Sequence, residues 1–530
     1  MTRQAKSRGK QVLLIGLDGA APSLIEQWTD DGTLPNLRQL RDRGAYGRLA
    51  STADLLTSSV WPSFLTGLPP GEHGAYHYIQ WRPQQMRMRR WNPEWIDLTP
   101  FWRPLSEAGP RVIALDVPCA EPPSRLNGIE ISNWAALPQV YAPYVYPAPL
   151  KHWLAQRFGR SLRRMSRRLS DEMYVPQSLD RLMALTDLYV DATRRMADVA
   201  VALMESESWN LFISVLSGAH RGGHELWDSS GVSDGDGPLV ERKLREALRR
   251  TYVACDEAVR RHVEAAGDDA TVLVFTLHGM SANTSRSDLL DPMLRRIISG
   301  KPGPARPATP GALKRLRQRV PHGVRLAVKS RLPFSLQDRL SVFWRMGRRD
   351  WSGTQAFPVT ADVNGYIQIN LRGREARGIV QPGAEFDALC RRIAEGLKTF
   401  VDADTNEPIV ESVTLTDEYF AHASRRADLP DLVVRWASSP AARHRRVVSP
   451  QFGAIDWPAP GKMPNGRSGN HVPDAFLLAA GNGIAPGSSI AGGHILDLPP
   501  TVYALFELPP PPHLAGRAIP GVTHPDSRTP

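Results

Sequence analysis

The sequence predicts an α/β fold built on a central, mostly parallel sheet with helices on its faces. Three observations point to it. Short aliphatic or β-branched runs recur along the chain, helical patterns separate them, and polar residues suited to chemistry fall just after several of the runs. Strands buried on both faces read as continuous apolar stretches rather than alternating ones.

The runs lie at residues 12–15, 112–115, 211–215, 271–275, 431–434 and 476–479, each too short for a helix of ordinary length. The first leads into Gly16-Leu17-Asp18-Gly19, the third into His220 and His224, and the fourth into His278-Gly279. Ligands of open α/β sheets bind beyond the carboxyl ends of the strands, so these residues are expected to converge on one edge. Between the first two runs, Thr57-Ser58-Ser59-Val60-Trp61 through Thr66-Gly67 reads as hydroxyl residues capping a short helix, with Gly67 and Pro69-Pro70 as the stop. His220 and His224, four apart, share a face if helical, although Gly222-Gly223 between them makes a turn an equal alternative.

The 530 residues are 42% hydrophobic and 22% charged, which excludes disordered, collagen-like and coiled-coil classes. Residues 1–519 are expected to form one catalytic domain, with cap insertions at about 140–195 and 285–351 and a loose tail at 520–530. Lys+Arg 65 against Asp+Glu 54 give a net charge of +11, favouring an anionic substrate or surface as partner. Basic residues concentrate from Lys314 to Arg349 and from Arg160 to Arg168. The first segment is a candidate for peripheral contact with an anionic membrane, or simply a solvated cap. No RNA-binding or finger signature accompanies the charge, so specific nucleic-acid recognition is not expected. Cys119, Cys255 and Cys390 have no CxxC spacing, which suggests neither a disulfide framework nor a thiolate metal site. The run after the basic amino terminus is too short for a signal core, and no stretch reaches the ~20 apolar residues of a span. A cytoplasmic location is the expectation.

The candidates for chemistry are Asp18, Thr57, His220, His224, His278 and His471. Imidazoles and carboxylates presented together suit zinc, manganese or iron. Taken singly, each reads as a turn former, a cap or a hydrogen-bonding loop residue. Their repeated placement at strand ends is what points to a site.

Together with these residues, Leu13 through Ala20, Thr57 through Leu68, Pro70-Gly71-Glu72-His73-Gly74, Ile369 through Arg374, Pro430-Asp431-Leu432, Asp497 and Gly516-Arg517 resemble, in order, the type I phosphodiesterase and nucleotide pyrophosphatase branch of the alkaline phosphatase superfamily. The resemblance implies an alkaline phosphatase-like sheet, and a metal-dependent hydrolase or transferase acting on a phosphate ester or phosphodiester. It places the nucleophile at Thr57, with Ser58 and Ser59 as alternates, and a covalent phospho-enzyme as intermediate. It also implies two sets of metal ligands. One set falls on His220, His224 and His471, the other on Asp18, Thr57, Leu277 and His278. Two family aspartates are therefore absent, one replaced by His220 and one by Leu277. Three neutral imidazoles still suit zinc, whereas Leu277 cannot coordinate, so one firm zinc site and a depleted second are expected. The implied substrate is an anionic phosphorylated small molecule or a lipid-linked phosphate. The competing expectation is a degenerate member that binds a phosphorylated ligand without turnover. A sulfatase is not expected, because a Cys or Ser followed by Pro and Arg is not found around Thr57.

Overall fold

The computed structural model describes residues 9–91, 95–123, 125–135, 143–159, 175–305, 320, 332, 349–359 and 361–523. Ten strands form its main sheet: β1 (Val12–Leu17), β2 (Ala45–Ala50), β3 (Val112–Leu115), β4 (Gly128–Ser132), β5 (Tyr144–Tyr146), β6 (Leu211–Leu216), β7 (Thr271–Thr276), β8 (Ala475–Ala480), β9 (Ser488–Ser489) and β10 (Gly493–His494). Their spatial order is β9-β2-β8-β7-β1-β6-β3-β4-β5, with β10 also on β2. The central strands β7, β1, β6, β3 and β4 run parallel. β8 is antiparallel to both of its neighbours, and β5 is antiparallel to β4.

All six residues of β1 are buried, because both faces of the sheet are covered. Leu13, Ile15 and Leu17 pack with the long helices α2 (Leu179–Ser206) and α4 (Pro238–Ala266). Val12 and Leu14 pack on the opposite face with α1 (Val60–Thr66), the helix Trp102–Glu107 and the helix Leu498–Leu505. The result is a three-layer sandwich. Within the segment expected as a cap at about 140–195, α2 packs against the sheet in this layer.

A smaller lobe has its own four-stranded antiparallel sheet, in the order Ala356–Val359, Gly365–Ile369, Leu432–Trp436, Val410–Leu415. The helices Ser287–Ser299 and Ala384–Lys398 pack on it. The run at 431–434 therefore lies in this lobe and not in the parallel sheet, and the run at 476–479 enters the main sheet antiparallel. Residues 432–434 mimic a parallel strand in sequence because both faces are covered: Leu432 and Val434 join the helices, while Val433 faces Leu56, Tyr76 and Tyr366. Arg374 grips Asp431 with two bonds of 2.7 Å, tying two of the lobe's segments together.

The basic segments at 160–168 and 314–348 lie outside the described residues, apart from Val320 and Leu332. Arg349 is described, and pairs with Asp291 at 2.8 Å. Among the described residues no helix is long and apolar enough to cross a membrane. The three cysteines are free.

Candidate metal and nucleophile centre

β1 sits between β7 and β6, and the chain leaves these neighbouring strands from their carboxyl ends into the candidate residues. Asp18 follows β1, with its amide donating to the Leu216 carbonyl of β6 at 3.0 Å. β6 leads into α3 (Gly218–Glu225), so His220 and His224 lie on a helix, and the turn alternative falls away. His278 follows β7. His471 is delivered by a two-stranded ladder, Gly279–Ala282 against Gly469–Val472, in which it pairs with Met280.

Two glycines let this backbone close up. Gly469 lies so near α3 that a Cβ there would be 2.0 Å from the Gly223 carbonyl oxygen. That approach allows Nδ1 of His224 to donate to the Gly469 carbonyl at 3.0 Å. Gly19 turns at φ +62°, where a Cβ would meet the His220 backbone at 3.1 Å.

Three imidazoles converge. His220 Nε2 is 3.0 Å from His224 Nε2 and 3.0 Å from His471 Nε2. Each ring turns its other nitrogen toward an acceptor: Nδ1 of His220 is 2.5 Å from Asp18 Oδ2, Nδ1 of His224 faces the Gly469 carbonyl, and Nδ1 of His471 is 2.7 Å from Asp362 Oδ2. These acceptors assign the proton to Nδ1 on all three rings. Three unprotonated nitrogens are thus left facing one another with no donor among them.

Protonating one ring would relieve this, but burial resists it. Burial holds His471 down at about 3, with Asp362 only partly opposing, and holds His224 well below the usual imidazole range with help from the Arg467 charge. His220 is also lowered by burial, against the pull of Asp18. A shared cation fits the arrangement instead. Tetrahedral coordination at about 2.0–2.1 Å sets ligand nitrogens about 3.3 Å apart, close to the 3.0 Å that separates His220 Nε2 from each of the other two. The donor atoms of His220, His224 and His471 form the one such cluster among the described residues.

The remaining candidates border this cluster without joining it. Asp18 uses Oδ2 on His220 and accepts the Trp61 indole N–H on Oδ1 at 3.0 Å, with His278 Nε2 at 3.5 Å. Burial by itself would raise the Asp18 pKa, but the neighbouring His220 and His278 rings outweigh it and hold the carboxyl well below its usual range. His278 packs against the His471 ring at 4.2 Å between centroids. Leu277 is buried and contributes only its carbonyl, which accepts from Ser51 Oγ at 2.6 Å.

Thr57 does not cap a helix. It opens a 3₁₀ turn, Thr57–Ser59, that runs into α1, and its hydroxyl donates to the Ala53 carbonyl at 3.4 Å. The turn takes the place of the expected N-cap because the chain is already helical in φ and ψ at Ser59. Gly67 closes α1 in the left-handed conformation, as read from sequence. Two contacts tie the turn to the imidazoles: Trp61 to Asp18, and Ser58 Oγ to Asp362 Oδ2 at 3.3 Å. Ser59 is buried against Thr52 at 3.0 Å.

Asp362, Tyr366 and Arg467 are absent from the sequence-based candidates. Asp362 lies in Ala361-Asp362-Val363-Asn364-Gly365, which reads as an ordinary turn. In the structure Asn364 donates to the Leu55 carbonyl at 3.1 Å, locking that turn over the Thr57 segment. Tyr366, wholly buried, brings its phenol beside Thr57, and burial pushes its pKa far up. Arg467 lies 3.3 Å from Asp362 Oδ1.

A sequence model of the type I phosphodiesterase / nucleotide pyrophosphatase family matches residues 12–438. The chain belongs to that family. Solved structures that resemble it include human ectonucleotide pyrophosphatase / phosphodiesterase 5, at 12% identity and a TM-score of 0.47 over 95% of this chain and 96% of that one. The murine protein, as an inactive variant in complex with AMP, gives 13% and 0.47 over 95% and 96%. No curated protein matches the sequence. The family's members are hydrolases of phosphodiester and pyrophosphate bonds, and Thr57 and the imidazoles lie at the carboxyl edge of this chain's sheet.

Proposed function

We propose that the protein is a metal-dependent hydrolase or transferase of a phosphate ester or phosphodiester, with Thr57 as nucleophile. The observation that carries the reading is the convergence of three Nε2 atoms next to the Asp18–Trp61 and Asp362–Ser58 contacts that hold the Thr57 turn. His220, His224 and His471 would hold the cation, and neutral imidazoles favour zinc. Bound there, it would supply Lewis-acid polarisation of phosphoryl oxygen and stabilise developing negative charge.

The chain's own residues do the rest. Trp61 and Ser58 orient the turn so that Thr57 presents its oxygen from a buried position. A Thr57 Oγ–phosphorus bond forms as the ester bond breaks, and the hydroxyl proton ends on the departing alcohol. Water or another acceptor then cleaves the phosphothreonine and restores the hydroxyl. Arg221 and Arg467 lend the pocket a positive field, felt by His220 and His224 respectively, which suits an anionic substrate.

Leu277 supports a second reading, in which the chain binds a phosphorylated ligand without turnover. Hydrolysis of an aryl phosphodiester by the zinc-loaded protein decides between them. Turnover that Thr57→Ala abolishes, with phosphothreonine trapped at residue 57 and found by mass spectrometry, supports the enzyme. Tight ligand binding without turnover supports the binder.

A further inference from the structure

We infer that this chain holds a single divalent cation, and that Asp18 and Asp362 are paired positioning carboxylates that orient His220 and His471 toward it. The inference rests on the metal-centre reading above and deepens it. The family resemblance implies a second set of ligands, at Asp18, Thr57, 277 and 278, and that half does not fit a cation. Position 277 offers a buried leucine. Asp18 has both oxygens engaged, one by the His220 ring and one by the Trp61 indole. His278 turns Nε2 toward the same carboxylate, at 3.5 Å.

The substitution at 220 accounts for this arrangement. An imidazole there reaches the cluster with Nε2 and leaves Nδ1–H pointing back at β1, where the Asp18 carboxylate is the acceptor. Asp362, from the smaller lobe, stands in the corresponding place behind His471, with Oδ2 2.7 Å from its Nδ1. His224 has only the Gly469 carbonyl behind it. The two carboxylates therefore bring negative charge to a centre whose inner donors are all neutral. Hydrogen bonding of a ligating imidazole to a carboxylate fixes its tautomer and raises its basicity, and loss of such a partner typically weakens metal binding about 10–100-fold.

Metal-free full-length protein, titrated with zinc against a chromophoric chelator, tests this through stoichiometry and affinity. Wild type should take one equivalent. Asp362→Asn and Asp18→Asn should each still take one, with affinity lowered roughly 10–100-fold, while the thermal midpoint of the metal-free protein stays close to wild type. A purely structural role would lower that midpoint and leave the affinity alone. His220→Asp combined with Leu277→Asp should take a second equivalent, because Asp18 is released and a carboxylate is restored beside His278. Two equivalents in wild type, or unchanged affinity in both single variants, would overturn the inference while leaving the metal centre standing. No zinc in wild type, or a full equivalent of undiminished affinity in His224→Ala, would instead overturn the metal-centre reading itself.

Discussion

Two histidine–aspartate pairs in this molecule have the same inner geometry and opposite fates. In the main domain, His220 Nδ1 lies 2.5 Å from Asp18; in the smaller lobe, His444 Nδ1 lies 2.5 Å from Asp402. The difference is what the second nitrogen meets. His444 Nε2 accepts from the Arg286 guanidinium at 2.9 Å, and Arg286 is itself saturated by the carbonyls of Thr284, Ala437 and Ser439. Every polar group there is partnered, so the pair is a staple. His220 Nε2 meets two further lone pairs, and only an added positive charge completes it. A buried histidine–carboxylate pair alone does not mark a site; an unsatisfied far side does.

Removing the proposed nucleophile tests this contrast most forcefully. Thr57→Ala should lower turnover of an aryl phosphodiester by at least about 10⁴-fold, with zinc content unchanged by elemental analysis. His224→Ala should empty the centre of zinc and cost roughly 10³-fold in rate, as expected when several kcal/mol of charge stabilisation is lost. The matching change in the staple, His444→Ala, should leave zinc content and activity intact. It should still lower stability toward urea by about 3 kcal/mol, because Arg286 and Asp402 lose their common partner. If His444→Ala stripped the metal, or His224→Ala only destabilised the fold, the distinction would fail.

A milder test uses pH. Burial depresses His73 to about 3 and His262 to about 4, so the folded chain refuses protons that the unfolded chain accepts below about 6.5. Stability should therefore be full above that value and fall as pH drops from 6.5 toward 4, by about 2 kcal/mol per imidazole at pH 5. Urea midpoints at pH 7.5 and 5 check the sign. The smallest expected effect is that of Ser58→Ala, under about threefold in rate, since a single neutral hydrogen bond to Asp362 is worth only ~1 kcal/mol.

Much of this was legible in the sequence because it follows local rules. Buried strands announced themselves as apolar runs, the histidines followed the strand ends, and Gly67 ended its helix. Failures arose where tertiary contact decided. Leu432–Val434 lie between two hydrophobic clusters of the smaller lobe, and continuous apolarity cannot tell that setting from a parallel sheet. The hydroxyls at 57–59 resemble a cap, and only the backbone shows a 3₁₀ turn. Asp362 had no motif to announce it; its part is created when the lobe folds over the Thr57 turn and brings a carboxylate behind His471.

The most direct measurement is anomalous diffraction from crystals of the zinc-loaded protein. One peak is expected, about 2.0–2.1 Å from Nε2 of His220, His224 and His471, with Asp18 and Asp362 behind the rings and out of contact with the ion. A peak bound by Asp18 and His278, or two peaks of equal height, would contradict it.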